Sequence, residues 1–310
     1  MLSNREVITV KVESVYNTDI VPAVGDAILC EKVTFSYANA RIINRTPKRQ
    51  SIGALAPLYG GALGQLAIEF EMKGSGAAGT APEFDALLQA AGLFGTVASL
   101  ASVTYKPVST AQKSVTIYYY QDGRLRKLTG CVATSCSFKL AVGGVAMCSI
   151  TVIGHMPTSS VTDVAIVSPT YNATVPVPLI SVPFSVDSYS HIITSLDIDM
   201  GLSSSAVASM SATDGFGQVR VTKREVKGSF DPEDTLVAAY NFDSKFKSGA
   251  TYSLTTGLIG GTAGNRMTFT LGKIAYASVG VGERDGITSA TIGFSAADVT
   301  TDDDIVLAFT

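Results

Sequence analysis

The sequence predicts a mainly β protein: two tandem β-sandwich or half-barrel domains, each flanked by one α-helix, with one long extended loop. Three observations carry that expectation. Segments that alternate apolar and polar residues, or are dense in Val, Ile, Thr and Tyr, recur along the chain between Gly- and Asp-rich turns. Only two short segments carry the chemistry of a helix start. The order of elements in the first half also recurs in the second.

The elements follow in order. Val33 to Ser36 is short and β-branched. From Gln65 to Met72, Leu66, Ile68, Phe70 and Met72 fall on one face, and Gln65, Ala67, Glu69 and Glu71 on the other. Thr80-Ala81-Pro82-Glu83 has the form of a capping box with proline in the first turn, predicting a helix over about 81–92 that Gly92 ends. Ser114 to Tyr120 runs into Asp122-Gly123, a hairpin dipeptide, and Arg124 to Thr129 returns. Val132 to Val142 and Val145 to Ile153 form a hairpin around Gly143-Gly144. Five prolines between Pro157 and Pro183 mark an extended connector at 166–183, which separates a first domain at 1–165 from a second at 184–310.

The second half echoes the first. Gly217-Gln218-Val219-Arg220-Val221 resembles Gly64-Gln65-Leu66-Ala67-Ile68, and Lys227-Gly228-Ser229 resembles Lys73-Gly74-Ser75. Asp231-Pro232-Glu233 then predicts a helix over about 232–242, with Leu236, Val237 and Tyr240 on its apolar face. Strands are expected at Thr251 to Thr255, Arg266 to Leu271, Ile274 to Val281, Ile287 to Phe294 and Ile305 to Phe309.

Composition narrows the function. The chain has 310 residues, 46% hydrophobic and 16% charged, which suits a packed core and excludes disorder. A net charge of −3 provides no basic field to recruit nucleic acid, and two histidines leave little material for general-base chemistry. Mean hydropathy is +0.30, yet the most apolar run, Leu140 to Ile153, is too short to span a bilayer and contains Gly143-Gly144, so large buried or subunit-covered surfaces are expected. The first six residues lack a basic region followed by an apolar stretch, so no leader is expected.

Four motifs could carry chemistry. Cys131, Cys136, Cys148 and His155 could form a zinc site, but their spacing fits no common zinc motif, and Cys131 and Cys136 would face opposite sides of a regular strand; free thiols are expected. Gly74-Ser75-Gly76-Ala77-Ala78-Gly79 is formally G-x-G-x-x-G. Its preceding strand alternates with Glu69 and Glu71, and no acid stands about 20 residues on, so a fold-level turn is expected and no cofactor. His155 and His191 read as lone residues in surface or satisfied core roles. Asp302-Asp303-Asp304 reads as a solvated turn before the last strand rather than a calcium site.

Tyr37 to Leu63 is long for a loop in a compact sandwich. Arg41, Arg45, Lys48 and Arg49 precede an uncharged stretch containing Leu55, Leu58 and Tyr59. This pattern predicts an arm that docks on a neighbouring subunit, bases at a polar rim and apolar residues in a groove.

The succession from Gly64 to Gly76, then Gly79-Thr80-Ala81-Pro82-Glu83 and Leu87-Leu88, resembles the tail tube proteins of long-tailed bacteriophages. So do Gly228-Ser229-Phe230-Asp231-Pro232-Glu233, Thr262-Ala263-Gly264-Asn265-Arg266 and Gly282-Glu283-Arg284-Asp285-Gly286. The likeness covers roughly 30–155 and 190–297. It implies a β-sandwich with one flanking helix, assembly into rings stacked as a tube, and a long loop, here Tyr37 to Leu63, that makes contacts between rings. It also implies the partners: copies of the chain itself, the tape measure protein, the tail terminator and distal tail proteins, with double-stranded DNA passing through the lumen unbound.

Two tandem modules would halve the usual six subunits to a trimer with pseudo-sixfold symmetry. Sheets pairing edge to edge would close a continuous barrel and remove its open edges. An acidic or neutral lumen would keep DNA mobile, and Glu69 and Glu71 are the candidate lining. Arg220 and Arg224, aligned with that strand in the second half, argue against an acidic lining there. The rival readings are a minor or distal tail ring, a two-domain module binding glycans or cell surfaces, and an enzyme using the glycine-rich turn.

Overall fold

The computed structural model describes residues 2, 4–157 and 159–310. The first series of elements is β1 (Glu6–Val12), β2 (Ala27–Ile28), β3 (Lys32–Ala38), β4 (Ile42–Ile43), β5 (Leu58–Tyr59), β6 (Leu63–Glu71), α1 (Asp85–Ala90), β7 (Leu93–Ala98), β8 (Ser102–Pro107), β9 (Val115–Gln121), β10 (Arg124–Ala141), β11 (Met147–His155) and β12 (Val161–Asp163). The second is β13 (Ser185–Val186), β14 (Tyr189–Ser190), β15 (Ile193–Asp199), β16 (Ser203–Ala208), β17 (Phe216–Lys223), β18 (Lys227–Pro232), α2 (Phe242–Ser248), β19 (Thr251–Thr255), β20 (Met267–Arg284), β21 (Ile287–Ala297) and β22 (Val306–Phe309). The protein is mainly β, as the alternating pattern predicts.

The main sheet is antiparallel, in the order β3-β6-β11-β10-β15-β18-β21-β20. Two 18-residue strands organise it. The first part of β10 pairs with β9 and β12, and its second part with β11 and β15. The first part of β20 pairs with β19 and β22, and its second part with β21. β9 continues to β1 and β2, while β19 continues to β13 and β14. The hairpin β4–β5 links β3 to β6, and the hairpin β16–β17 links β15 to β18. β7 and β8 extend from β22 and have no counterpart in the second series among the described residues.

The alternation in β6 places Leu66, Ile68, Phe70 and Met72 in the core, each at most 1% exposed. One apolar cluster runs through both halves and includes Phe138, Ile150, Leu196, Phe230, Ile292 and Phe294. Aromatic pairs cross the halves, with Phe138 against Phe269 at 5.4 Å and Phe84 against Phe309 at 5.8 Å. Residues 164–184 hold no strand, apart from a single bridge between Pro178 and Val145.

Both helices differ from expectation. The first spans only 85–90, because Glu83 does not serve a capping box. Its buried carboxylate lies 3.3 Å from Lys73 Nζ and accepts the Leu29 and Asn172 backbone N–H groups. The second is not at 232–242. Pro232 ends β18 opposite Ile193, residues 236–240 form turns, and the helix starts at Phe242, where Asn241 caps the Ser244 N–H at 2.8 Å. Leu236 and Val237 are consequently exposed, at 83% and 71%, and only Tyr240 joins the core.

Candidate assembly surfaces

The junction between the halves is a strand pair. Ser137 to Ala141 of β10 lie in register with Asp199 to Ser195 of β15. Among the described residues, no strand covers the outer edge of β3 or that of β20 from Ser278 to Arg284. Val281, on that second edge, is 81% exposed.

The face of the main sheet opposite the core is polar. One row crosses seven strands through Lys32, Glu69, Ser149, Ser137, Asp199, Lys227 and Ser295. Glu69 and Glu71 are half-buried on this face, with Glu69 in register with Lys32 and Glu71 with Met147. The face carries further charges that the sequence alone does not place there. Asp197 and Asp199 stand on β15, Lys139 stands on β10, and Lys227 Nζ is 3.6 Å from Asp199. Arg220 and Arg224 are not on this face. Arg220 belongs to β17 and bonds Gln218; Arg224 is tied to Asp304 at 2.8 Å and Asp302 at 3.2 Å. The motif match misled because Gly217 to Val221 lies in a hairpin, whereas Gly64 to Ile68 lies in the sheet.

The same row measures the strand stagger. It enters at Lys32, the first of seven residues in β3, and four strands on it reaches Asp199, the last of seven in β15. Six residues of slip at about 3.3 Å over four spacings of about 4.8 Å correspond to a tilt of roughly 45°. Closed barrels use tilts of about 35–45°.

The segment between β3 and β6 is an arm. Ile42 and Ile43 pair with Tyr59 and Leu58, and all four are exposed, as is Ile52. Leu55 is half-buried. Arg41 lies 4.0 Å over the Phe216 ring and donates to the Gly215 carbonyl at 3.1 Å, so it fixes the base of the arm within its own chain. Arg49 donates to the Gly53 and Ala54 carbonyls and shapes the tip. Arg45 and Lys48 are exposed.

The second hairpin, β16–β17, is held down. Phe216 and Val219 pack with Leu63, Val132 and Ile153 at the end of the first half's polar face. His155, read from sequence as lone, is central to this hold. Its Nδ1 is 2.6 Å from Asp214 Oδ2 and its Nε2 is 2.9 Å from Tyr16 Oη, which also accepts the Val219 N–H at 2.8 Å. With the proton on Nδ1, imidazole donates to Asp214 and the phenol donates to Nε2. Burial pushes the phenol up to about 12, keeping it a donor. His191 is a core residue, among Phe184, Tyr189, Tyr240 and Phe242, but not a satisfied one: neither ring nitrogen has a hydrogen-bond partner among the described residues.

The glycine-rich turn is occupied by the chain itself. The Gly76 N–H donates to the Gly264 carbonyl at 3.0 Å, and Gly74 donates to the Asn265 side chain at 2.8 Å. A Cβ on Gly74 would meet Gly264 O at 2.1 Å. Cys131, Cys136 and Cys148 are buried free thiols; one bulge in β10, between Ala133 and Ser135, resets its alternation, so Cys131 and Cys136 both enter the core. Asp302 and Asp304 are ion-paired rather than solvated, and Asp303 caps the turn at Val299 and Thr300.

Open strand edges, a polar sheet face and an exposed arm define a structural chain of the assembling kind. A family model described as phage tail tube protein matches residues 3–296. The chain belongs to that family, a structural and not an enzymatic one, and is a component of a virion tail. No curated protein matches it. Among the described residues, no helix is long and apolar enough to cross a membrane.

Proposed function

We propose that this chain is the major tail tube subunit, that its two halves are copies of one module, and that three chains close a pseudo-sixfold ring. The observation that carries the proposal is the β10–β15 pair, which joins the two halves edge to edge. Carried once more around the ring, the same step sets the open edge of β20 against β3 of the next chain. The matched order of the two series supports the division into modules at 1–165 and 184–310, with 166–183 as connector. The tilt of roughly 45° is a barrel tilt. Three times eight strands at about 4.8 Å, tilted so, give a backbone diameter of about 50 Å, wider than a DNA duplex.

The polar face would then line the lumen. Its charges alternate in sign, Lys32 beside Glu69 and Lys227 beside Asp199, over a Ser/Thr background. Such a surface offers phosphates no continuous row of cations, so DNA slides. The rings stack through the arm, with other tail proteins capping the ends. Negative-stain microscopy with native mass spectrometry tests this reading: hollow filaments dissociating to trimers support it, and monomers at every concentration contradict it.

A further inference from the structure

The geometry points to a receptor for the arm: an apolar socket at the opposite end of the main sheet, entered by Leu58 and Tyr59 of a second copy in the next ring. This rests on the reading of the arm as an inter-ring contact, and it names what the arm binds.

The socket is a cavity of about 260 Å³ between the end of β10 and the start of β15, lined by Leu140, Val142, Leu179, Val182, Phe184 and Ile192. An apolar cavity of about 150 Å³ takes a benzene-sized group, so one or two side chains of the arm fit. Val142 and Ile192 at the socket and the neighbouring Ile180 are each more than 60% exposed. Ser181, Thr194 and the buried ring of His191 also line it. Tyr59, 69% exposed on the arm, carries an aromatic ring of a size the socket admits.

Direction excludes the chain's own arm. β3 and β15 are four antiparallel steps apart and run the same way. The arm leaves the C-terminal end of β3, while the socket opens at the N-terminal start of β15. Arm and socket therefore face opposite ends of the sheet, the arrangement that stacks copies head to tail. Charge agrees. The Glu233 N–H bonds the Ile192 carbonyl, and three acids stand there, Asp231 and Glu233, both ion-paired with Arg284, and Asp234. That surplus of acid faces the Arg45 and Lys48 of an incoming arm. Numbers also agree: each chain offers one projecting arm, because β16–β17 is clasped down, and one socket within its own junction.

The test is a cross-link in assembled protein. With Cys30→Ser removing the most accessible native thiol, Leu58→Cys combined with Ile192→Cys should yield, under mild oxidation, a ladder of linked chains on a non-reducing gel; either substitution alone should not. Ile192→Asp should leave trimers intact and raise the concentration needed for filaments at least tenfold. Filaments that form without a ladder, and unaffected by Ile192→Asp, overturn the socket. Deleting residues 45–58 separates the two claims: filaments that survive the deletion overturn the arm itself, whereas filaments lost on deletion but indifferent to Ile192→Asp overturn only its receptor.

Discussion

Tyr16→Phe is the most informative single substitution, because one oxygen holds two groups of the β16–β17 clasp. Its loss leaves the Val219 N–H and His155 Nε2, 2.8 Å and 2.9 Å from that oxygen, without their partner. Val219 is 1% exposed and His155 6%, so water does not readily replace it. Each orphaned buried group costs about 1–3 kcal/mol, and the isosteric ring leaves packing unchanged. The hairpin should therefore lose roughly 2–4 kcal/mol of docking free energy, about 30-fold or more in its opening equilibrium. Amide exchange followed by mass spectrometry reads this directly. Peptides covering 214–221 should exchange at least tenfold faster, while those from β10 and β11 stay protected. Unchanged exchange in the hairpin refutes the clasp, and uniform acceleration along the chain shows that Tyr16 supports the fold at large instead.

Other outcomes follow from the same contacts. Gly74→Ala forces a Cβ to within 2.1 Å of a backbone oxygen across the two halves and should cost about 2 kcal/mol, read as a melting temperature lowered by several degrees. Burial, helped by nearby Lys245, holds His191 down at about 4. The unfolded imidazole protonates near 6.5 while the folded one stays neutral, so stability present above pH 6.5 is lost toward pH 4, by at most about 1.4 kcal/mol per pH unit. Urea titrations across that window should show the loss in wild type and a shallower one in His191→Phe. Lys73→Met strands the Glu83 carboxylate, which is 8% exposed, and should destabilise by about 3–5 kcal/mol in the same assay.

The sheet was legible where one face is buried and the other wet. Alternation alone located β6 and chose its core face, and Asp122-Gly123 fixed the β9–β10 turn, with Asp122 and Gly123 both at positive φ. The polar face was only half legible: Glu69 and Glu71 could be read from one strand, but the row that adds Asp199 and Lys227 exists only once register is known. The second helix was misplaced because Asp-Pro-Glu suits a helix start, yet Pro232 also suits a strand end, where its own missing N–H costs no ladder bond. The His155 clasp lay beyond the sequence, since Tyr16, His155 and Asp214 are brought together from three distant segments. In the arm, Leu58 and Tyr59 stood out as apolar in an uncharged run. Ile42 and Ile43, their partners across the hairpin, were missed because they sit among the bases.

The central claim is that one chain supplies eight consecutive strands of a closed barrel, and a cryo-electron microscopy map of assembled filaments tests it most directly. The account predicts three chains per ring, with β20 of each chain about 4.8 Å from β3 of the next and the row from Lys32 to Ser295 turned inward. A ring in which the β3 and β20 edges face solvent, or in which that polar row lies on the outer wall, would contradict it.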